Sequence, residues 1–361
     1  MKANRKTKTI VLIILGILCT FSTIITTNLN SEFSTGVDLD NENLKHSALS
    51  PPIHIDDTNP TMNWSVAKDA GICAGNGTYS EPYIIEDLVI DGGGSGSCIL
   101  IENSIVYFRI EKCNLYNSGD HPAAGIKLNN TNNGQVTDNV CSPNNSGISL
   151  YASHNNTISG NIVDHNDYCG ILLNDGDNNT ISGNSIYYNS WGIILHVGGA
   201  ENNNIMGNTI VSNQIGITTW SFVRYNNITR NIIHNNTFYG IEFKGGPSGN
   251  NDVYFNCFED NGVHANDGAS NNKWDNGTIG NYWDDYTGSD SDNNGIGDIP
   301  YNIAGSAGSQ DNFPLMICPI STQDGGGFPI ELIIIISIIS GGAVIGVATI
   351  LLIRRKRKRI E

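Results

Sequence analysis

Positive charge is almost missing from the body of this 361-residue chain. Of its 19 Lys and Arg, four lie in residues 1–9 and six in residues 354–359, which leaves nine between them against 34 of the 35 Asp and Glu. That intervening part is near −25, a balance that excludes nucleic acid as a partner and suits divalent cations or a salty exterior. Catalytic constellations are lacking too. Paired carboxylates for glycoside hydrolysis must face each other about 5 to 9.5 Å apart, whereas Asp175/Asp177 and Glu259/Asp260 sit side by side in turn-like sequence. A β-elimination lyase needs a base beside calcium-binding acids, and the late repeats offer Arg224, Arg230 and Lys244. The eight His and four Met form no close i, i+2 or i, i+4 pair, so their spacing points away from a copper site. Eight Cys fit an oxidising compartment but leave at least one unpaired once the leader is removed.

What is present is a repeat. Gly-Ile-x-Leu recurs at Gly125, Gly147, Gly170, Gly192, Gly216 and Gly240, and Ile-x-x-Asn-x-apolar follows each at Val136, Ile158, Ile181, Ile205, Ile228 and Val253. A unit of two short alternating strands joined by Asn/Gly turns buries its apolar side only by stacking on its neighbours. The +1 and +3 residues from Gly, such as Ile148/Leu150 and Ile171/Leu173, should point inward. The second mark supplies another wall through Ile158/Val163, Ile181/Ile186 and Ile205/Ile210. Coils of 22 to 24 residues exceed the roughly 18 of a hexapeptide helix and suit a right-handed parallel β-helix. This is an all-β, single-stranded solenoid. The Asn column from Asn139 to Asn256 reads as left-handed turns and axial amide stacking rather than as a ligand set. Register places Cys113 in that column and Cys141 at an inward position, as fillers.

The ends differ in kind. Lys2, Arg5, Lys6 and Lys8 precede the apolar run Ile10 to Ile25, the order of a signal peptide or an uncleaved N-terminal anchor. Leu332 to Ile353 is 22 uncharged residues, followed by six basic ones, which describes a transmembrane helix with a cytoplasmic tail. The expected order is a signal over 1–27, a linker over 28–50, an N-terminal cap and first coil over 51–96, and β-helix repeats over 97–270. A C-terminal cap follows over 271–318, then a linker over 319–331, the span over 332–353 and the tail over 354–361. The expected location is the cell membrane, single-pass, with the repeats outside. Nine Asn-x-Ser/Thr sequons could accept glycans there.

Two sets of residues stand out as candidate sites. The column at +4 from Gly includes Tyr151, Asn174, His196, Trp220 and Lys244, with Asp175 beside it. Stacked one coil apart, these form an outward strip whose rings can lie on sugar faces. A second aromatic set, Tyr168, Trp191 and Tyr239, reads as turn packing. After the repeats, Asp290, Asp292, Asn294 and Asp298, with Gly295, match the first half of an EF-hand-type loop, a calcium site that lacks its bidentate acid because Tyr301 holds position 12.

Gly75-Asn-Gly-Thr-Tyr-Ser-Glu-Pro-Tyr-Ile-Ile85, the Asn-Thr-Ile-Ser-Gly-Asn coils and the closing block Asn281-Tyr-Trp-Asp-Asp-Tyr286 to Asp311-Asn-Phe-Pro-Leu315 resemble the NosD-type right-handed β-helix family over about residues 70–316. The resemblance implies the β-helix, and it implies either copper-site accessory work or carbohydrate binding and hydrolysis at a surface. Tethering departs from the copper role, and the Gly-His-Gly and Arg-Ile-Lys motifs of the pectin-degrading β-helices are absent. The leading expectation is a membrane-anchored surface protein that binds polysaccharide or glycoprotein without catalysis. A polysaccharide lyase or hydrolase is the alternative, and a copper accessory protein a second.

Overall fold

The computed structural model describes residues 48–320 except 197 and 247. The expected signal, the membrane span and the basic tail lie outside the described residues, as does Cys19. Among the described residues no helix is long and apolar enough to cross a membrane.

Each coil contributes three strands, to three parallel sheets. Sheet 1 has nine strands starting at Ile53–Asp56, sheet 2 has eight starting at Tyr83–Glu86, and sheet 3 has ten starting at Ala48–Ser50. The result is an all-β, right-handed parallel solenoid. Its one described helix, α1 (Trp64–Asp69), is inserted in the first coil, and the Asn63 side chain caps it by accepting from the Val66 amide. Sheet 1 comes from the Gly-Ile-x-Leu mark: Ile148 pairs with Ile126 and Ile171, and Leu150 with Leu128 and Leu173. The second mark makes two walls rather than the single one its spacing suggested. Ile158 lies in Thr157–Ser159 of sheet 2 and Val163 in Ile162–Asp164 of sheet 3, because the chain turns a corner at Gly160–Asn161 between them.

The interior is a stack of like side chains, with Ile126, Ile148, Ile171, Ile193, Ile217 and Ile241 all fully buried. Cys113 and Cys141 are buried fillers as expected. Cys257 is disulfide-bonded to Cys318, a pairing that spacing had left open.

Asn ladders hold the corners, and there are three where the sequence had suggested one. The first runs Asn139, Asn161, Asn184, Asn208, Asn231, Asn256, Asn281. The second runs Asn144, Asn166, Asn189, Asn213, Asn236, Asn261. The third runs Asn156, Asn179, Asn203, Asn226, Asn251, Asn272. The ladder residues are not themselves the left-handed ones. Positive φ falls on the residue before every ladder Asn except Asn144 and Asn281, as at Gly183, Arg230 and Phe255 for the first ladder or Asn155 and Asn178 for the third. That residue turns the chain, and the next Asn drops its amide beneath the corner.

At a full rung such as Asn184 every amide hydrogen is used. Its Oδ1 accepts from the backbone N–H and the Nδ2 of Asn161, while its own Nδ2 donates to Asn208 Oδ1 and to the Ile158 carbonyl. Donation from one ladder amide to the next therefore runs toward the C-terminus, and each ladder must end on a group that accepts. The first ends on Asp311, which takes the Asn281 amide, the Trp283 indole and the Phe313 amide. The third ends on Asp267, which takes Asn272 Nδ2, the Trp274 indole, the Ala269 amide and the Ser309 hydroxyl. Both carboxylates are fully buried.

This polarity makes reciprocal substitutions costly. Asn184→Asp turns oxygen toward the oxygens of Asn208 and Ile158, and Asp311→Asn turns an amide toward a donor. Each should lose about 1–3 kcal/mol of unfolding free energy in denaturant titrations at neutral pH. Burial pushes the Asp311 carboxyl up to about 6, despite its N–H donors. The folded value exceeds the free one, so this group favours folding fully below about pH 4, and that contribution is lost as pH rises through 6. Wild-type stability should therefore gain on that of Asp311→Asn by about 2–3 kcal/mol between pH 7.5 and 4, read from paired unfolding curves.

Candidate functional site

Strand alternation places the +2 and +4 residues of sheet 1 outside the solenoid. In the +4 column Tyr151 is in register with Asn174, and Asn174 with His196. Trp220 follows directly, its ring centroid 4.9 Å from that of His196, and Lys244 Nζ lies 4.3 Å from the centre of the Trp220 ring. The five strip residues are thus neighbours. Asp175 stands exposed at the adjoining turn with positive φ.

Sequence reasoning missed the floor beside the strip. In the +2 column Leu172 and Ile194 point outward yet are 2% and 0% exposed, and with Cys169 they form a small apolar cluster separate from the main core. Tyr151 and Trp220 from the strip pack on it, and so do Tyr168 and Trp191. Those latter rings had been read as turn packing; they are the opposite rim of the same surface. The signal was in the sequence, since Ile171-Leu172-Leu173 and Ile193-Ile194-Leu195 break the alternation that Ile148-Ser149-Leu150 keeps. His121 joins the two rims, with its ring 5.0 Å from that of Tyr168 and its Nε2 3.4 Å from the Tyr151 hydroxyl. Tyr168 and Trp191 meet edge to face at 5.0 Å.

The cations here are partly desolvated. Burial lowers the pKa of Lys127, whose ammonium sits 4.8 Å from the centre of the Tyr151 ring. Burial, followed by the charges of His121 and Lys244, lowers that of His196. Two buried polar atoms of the strip, His196 Nδ1 and Trp220 Nε1, have no hydrogen-bond partner among the described residues.

The acidic loop uses its oxygens locally. Asp290 accepts from the Asn294 and Gly295 amides, Asp292 from the Asn294 amide and side chain, and Asn294 from the Ile296 amide. Asp298 accepts from Ser289 and Ser291, and the Ser291 hydroxyl lowers its pKa most.

Fold and surface together define a parallel β-helix with an aromatic outer face. The chain belongs to the NosD family, whose model, described as periplasmic copper-binding protein, matches residues 62–245. No curated protein matches the sequence. Among solved structures, the Dettilon tailspike protein shares 15% identity over 55% of this chain and 48% of its own, with a TM-score of 0.43. A periplasmic alginate epimerase AlgG mutant shares 19% over 54% and 46%, at 0.38. The pectate lyase Pel9A shares 12% over 79% and 85%, at 0.37. The chain spans about half the length of the tailspike and the epimerase.

The family description raises copper, and one group of described residues has metal-like spacing. His264 Nε2 lies 2.7 Å from Asp284 Oδ1 and 3.4 Å from Asp285 Oδ1. Its other nitrogen decides the matter. The second Asn ladder ends on His264: Asn261 Oδ1 is held by Asn236, so Asn261 Nδ2 faces His264 Nδ1 at 3.3 Å. Nδ1 must accept, which puts the proton on Nε2 and removes the lone pair a metal needs. The five free thiols among the described residues offer no substitute. All are buried, and burial pushes those of Cys73 and Cys113 up to about 11 and those of Cys98 and Cys169 up to about 12. Paired in this way, the His264 group does not fit a copper ion. Titrating copper(II) or zinc into the histidine-labelled protein should leave the His264 ring resonances at their metal-free positions in the NMR spectrum; a bound-state shift would contradict the assigned tautomer.

Proposed function

We propose that this chain is a surface-anchored β-helix protein that binds a polysaccharide or the glycan of a surface glycoprotein along the outer face of sheet 1, without chemistry of its own. One observation carries the reading. Half-buried aromatic rings line both sides of an apolar floor outside the core, and the strip's Trp220 Nε1 and His196 Nδ1 are unpartnered. A sugar ring matches that combination, with an apolar face to stack on indole or phenol and hydroxyls for the ring nitrogens. Sheet spacing favours a linear ligand, since strips repeat about every 4.8 Å along the solenoid. The anchoring rests on the apolar run Leu332 to Ile353 and the six basic residues after it.

Trp220→Ala and His196→Ala should each weaken binding on a glycan array by about tenfold or more, the value of a lost stacking ring or hydrogen bond. Neither side chain belongs to the solenoid core, so the circular dichroism spectrum should keep its wild-type shape, while Trp220→Ala lowers the melting temperature by uncovering part of the Leu172–Ile194 floor. Unchanged binding by both variants would sink the sheet 1 reading.

A further inference from the structure

The corner between sheets 3 and 1 carries a feature that the aromatic face leaves unexplained. Asp164 ends the sheet 3 strand Ile162–Asp164 and is 7% exposed, and its one hydrogen bond among the described residues is to the ring of its neighbour, His165, with Oδ2 to Nδ1 at 2.5 Å. A buried carboxylate with a single partner is costly. Nothing in the coil demands it, because the residues in register one and two coils on are Tyr187 and Val211. An ionised carboxylate only accepts, so His165 Nδ1 carries the proton and Nε2 keeps its lone pair. The ring itself is exposed, held on the corner by a backbone with φ of 52°.

That ring opens onto a groove of about 400 Å³ which crosses several coils. One wall is His165, Tyr188 and Ser212, and the other is Asp167, Ser190, Gln214 and Thr237. Its floor is the second Asn ladder, at Asn166 and Asn189. The ladder amides are already committed to one another. Of the wall groups, Ser190 Oγ donates to the Asp167 carbonyl, but the Tyr188 and Thr237 hydroxyls and the Gln214 amide make no hydrogen bond among the described residues, and Ser212 Oγ only accepts, from Asn235. The groove thus has free hydroxyl and amide groups, an oriented imidazole acceptor, and an aromatic ring whose centroid is 5.0 Å from that of His165.

We propose that this corner groove is a second ligand site, separate from the face of sheet 1, which takes a neutral sugar. The sugar stacks on Tyr188, one of its hydroxyls donates to His165 Nε2, and others meet Gln214, Ser212 and Thr237. Asp164 is a positioning residue that fixes the imidazole tautomer at a cost to stability, the trade common at functional positions. The free lone pair suits a hydroxyl donor, and a single imidazole with no second His or Cys on the groove walls is a poor site for a metal ion.

Full-length protein labelled at the histidine rings tests this against neutral oligosaccharides built from glucose, mannose, galactose or xylose. At least one series should move the His165 Nε2 resonance, and His165→Ala and Tyr188→Ala should each weaken that binding by about tenfold or more. Asp164→Val should weaken it as well, should shift the remaining His165 signal toward the Nε2–H tautomer, and should leave the melting temperature equal or higher. Trp220→Ala should leave the His165 response intact, which separates this site from the one on sheet 1. The proposal is overturned if none of the sugars moves His165, if zinc moves Nε2 where sugars do not, or if Asp164→Val lowers the melting temperature.

Discussion

Satisfying the backbone at the corners of a parallel coil is the constraint from which most of this structure follows. Strands within the three sheets bond to the coils above and below, but at a corner the backbone leaves the ladder and its polar groups would be buried unpaired. An Asn amide solves this because it both accepts and donates, so it can serve the coil before it and hand on a hydrogen to the coil after it. Stacking identical amides in one sense gives a chain of hydrogen bonds that reinforce one another. The same sense of stacking means that the chain can end only on an acceptor.

That requirement explains the closing block of the solenoid. The closing block from Asn281 to Leu315 supplies the last rung, the indole of Trp283, the carboxylate of Asp311 and the pairing of Tyr282 with Leu315. These residues are a terminator: both carboxylate oxygens of Asp311 are engaged with donors of the fold. His264 closes the second ladder in the same manner and passes its proton side to Asp284. A His-Asp-Asp group that resembles a metal site is thereby tied to a structural task, and membership of a family described by copper binding does not carry over to these side chains.

With the corners and the interior committed to holding coils together, functional freedom is confined to the outer faces. On sheet 1 the strands Cys169–Asn174 and Trp191–His196 replace the usual outward polar residue with Leu172 and Ile194, and rings from two columns close over them. At the corner between sheets 3 and 1 a buried Asp164 orients His165. Both surfaces use the same device, a column of side chains repeated at the coil spacing along the solenoid axis.

The period, the inward Ile and Leu columns and the resulting parallel solenoid were legible in the sequence, because periodicity two and a fixed repeat length permit few other ways to bury those faces. The +4 strip was legible for the same reason: identical offsets in successive coils must become neighbours. Three things were decided only in three dimensions. A second mark that reads as one wall is two, since Gly160–Asn161 bends the chain between sheets 2 and 3 and sequence spacing does not record an angle. Asn144 and Asn156 each begin a ladder as complete as the one begun by Asn139, but their positions fall between the obvious marks, so only the axial contacts reveal them. The roles of Asp267, Asp311, His264 and Asp164 depend on which donor reaches each one across a coil or a corner. Composition determined that this chain stacks; the direction of its amide hydrogen bonds, a property of the assembled coil alone, determined which of its acids and histidines are left for a ligand.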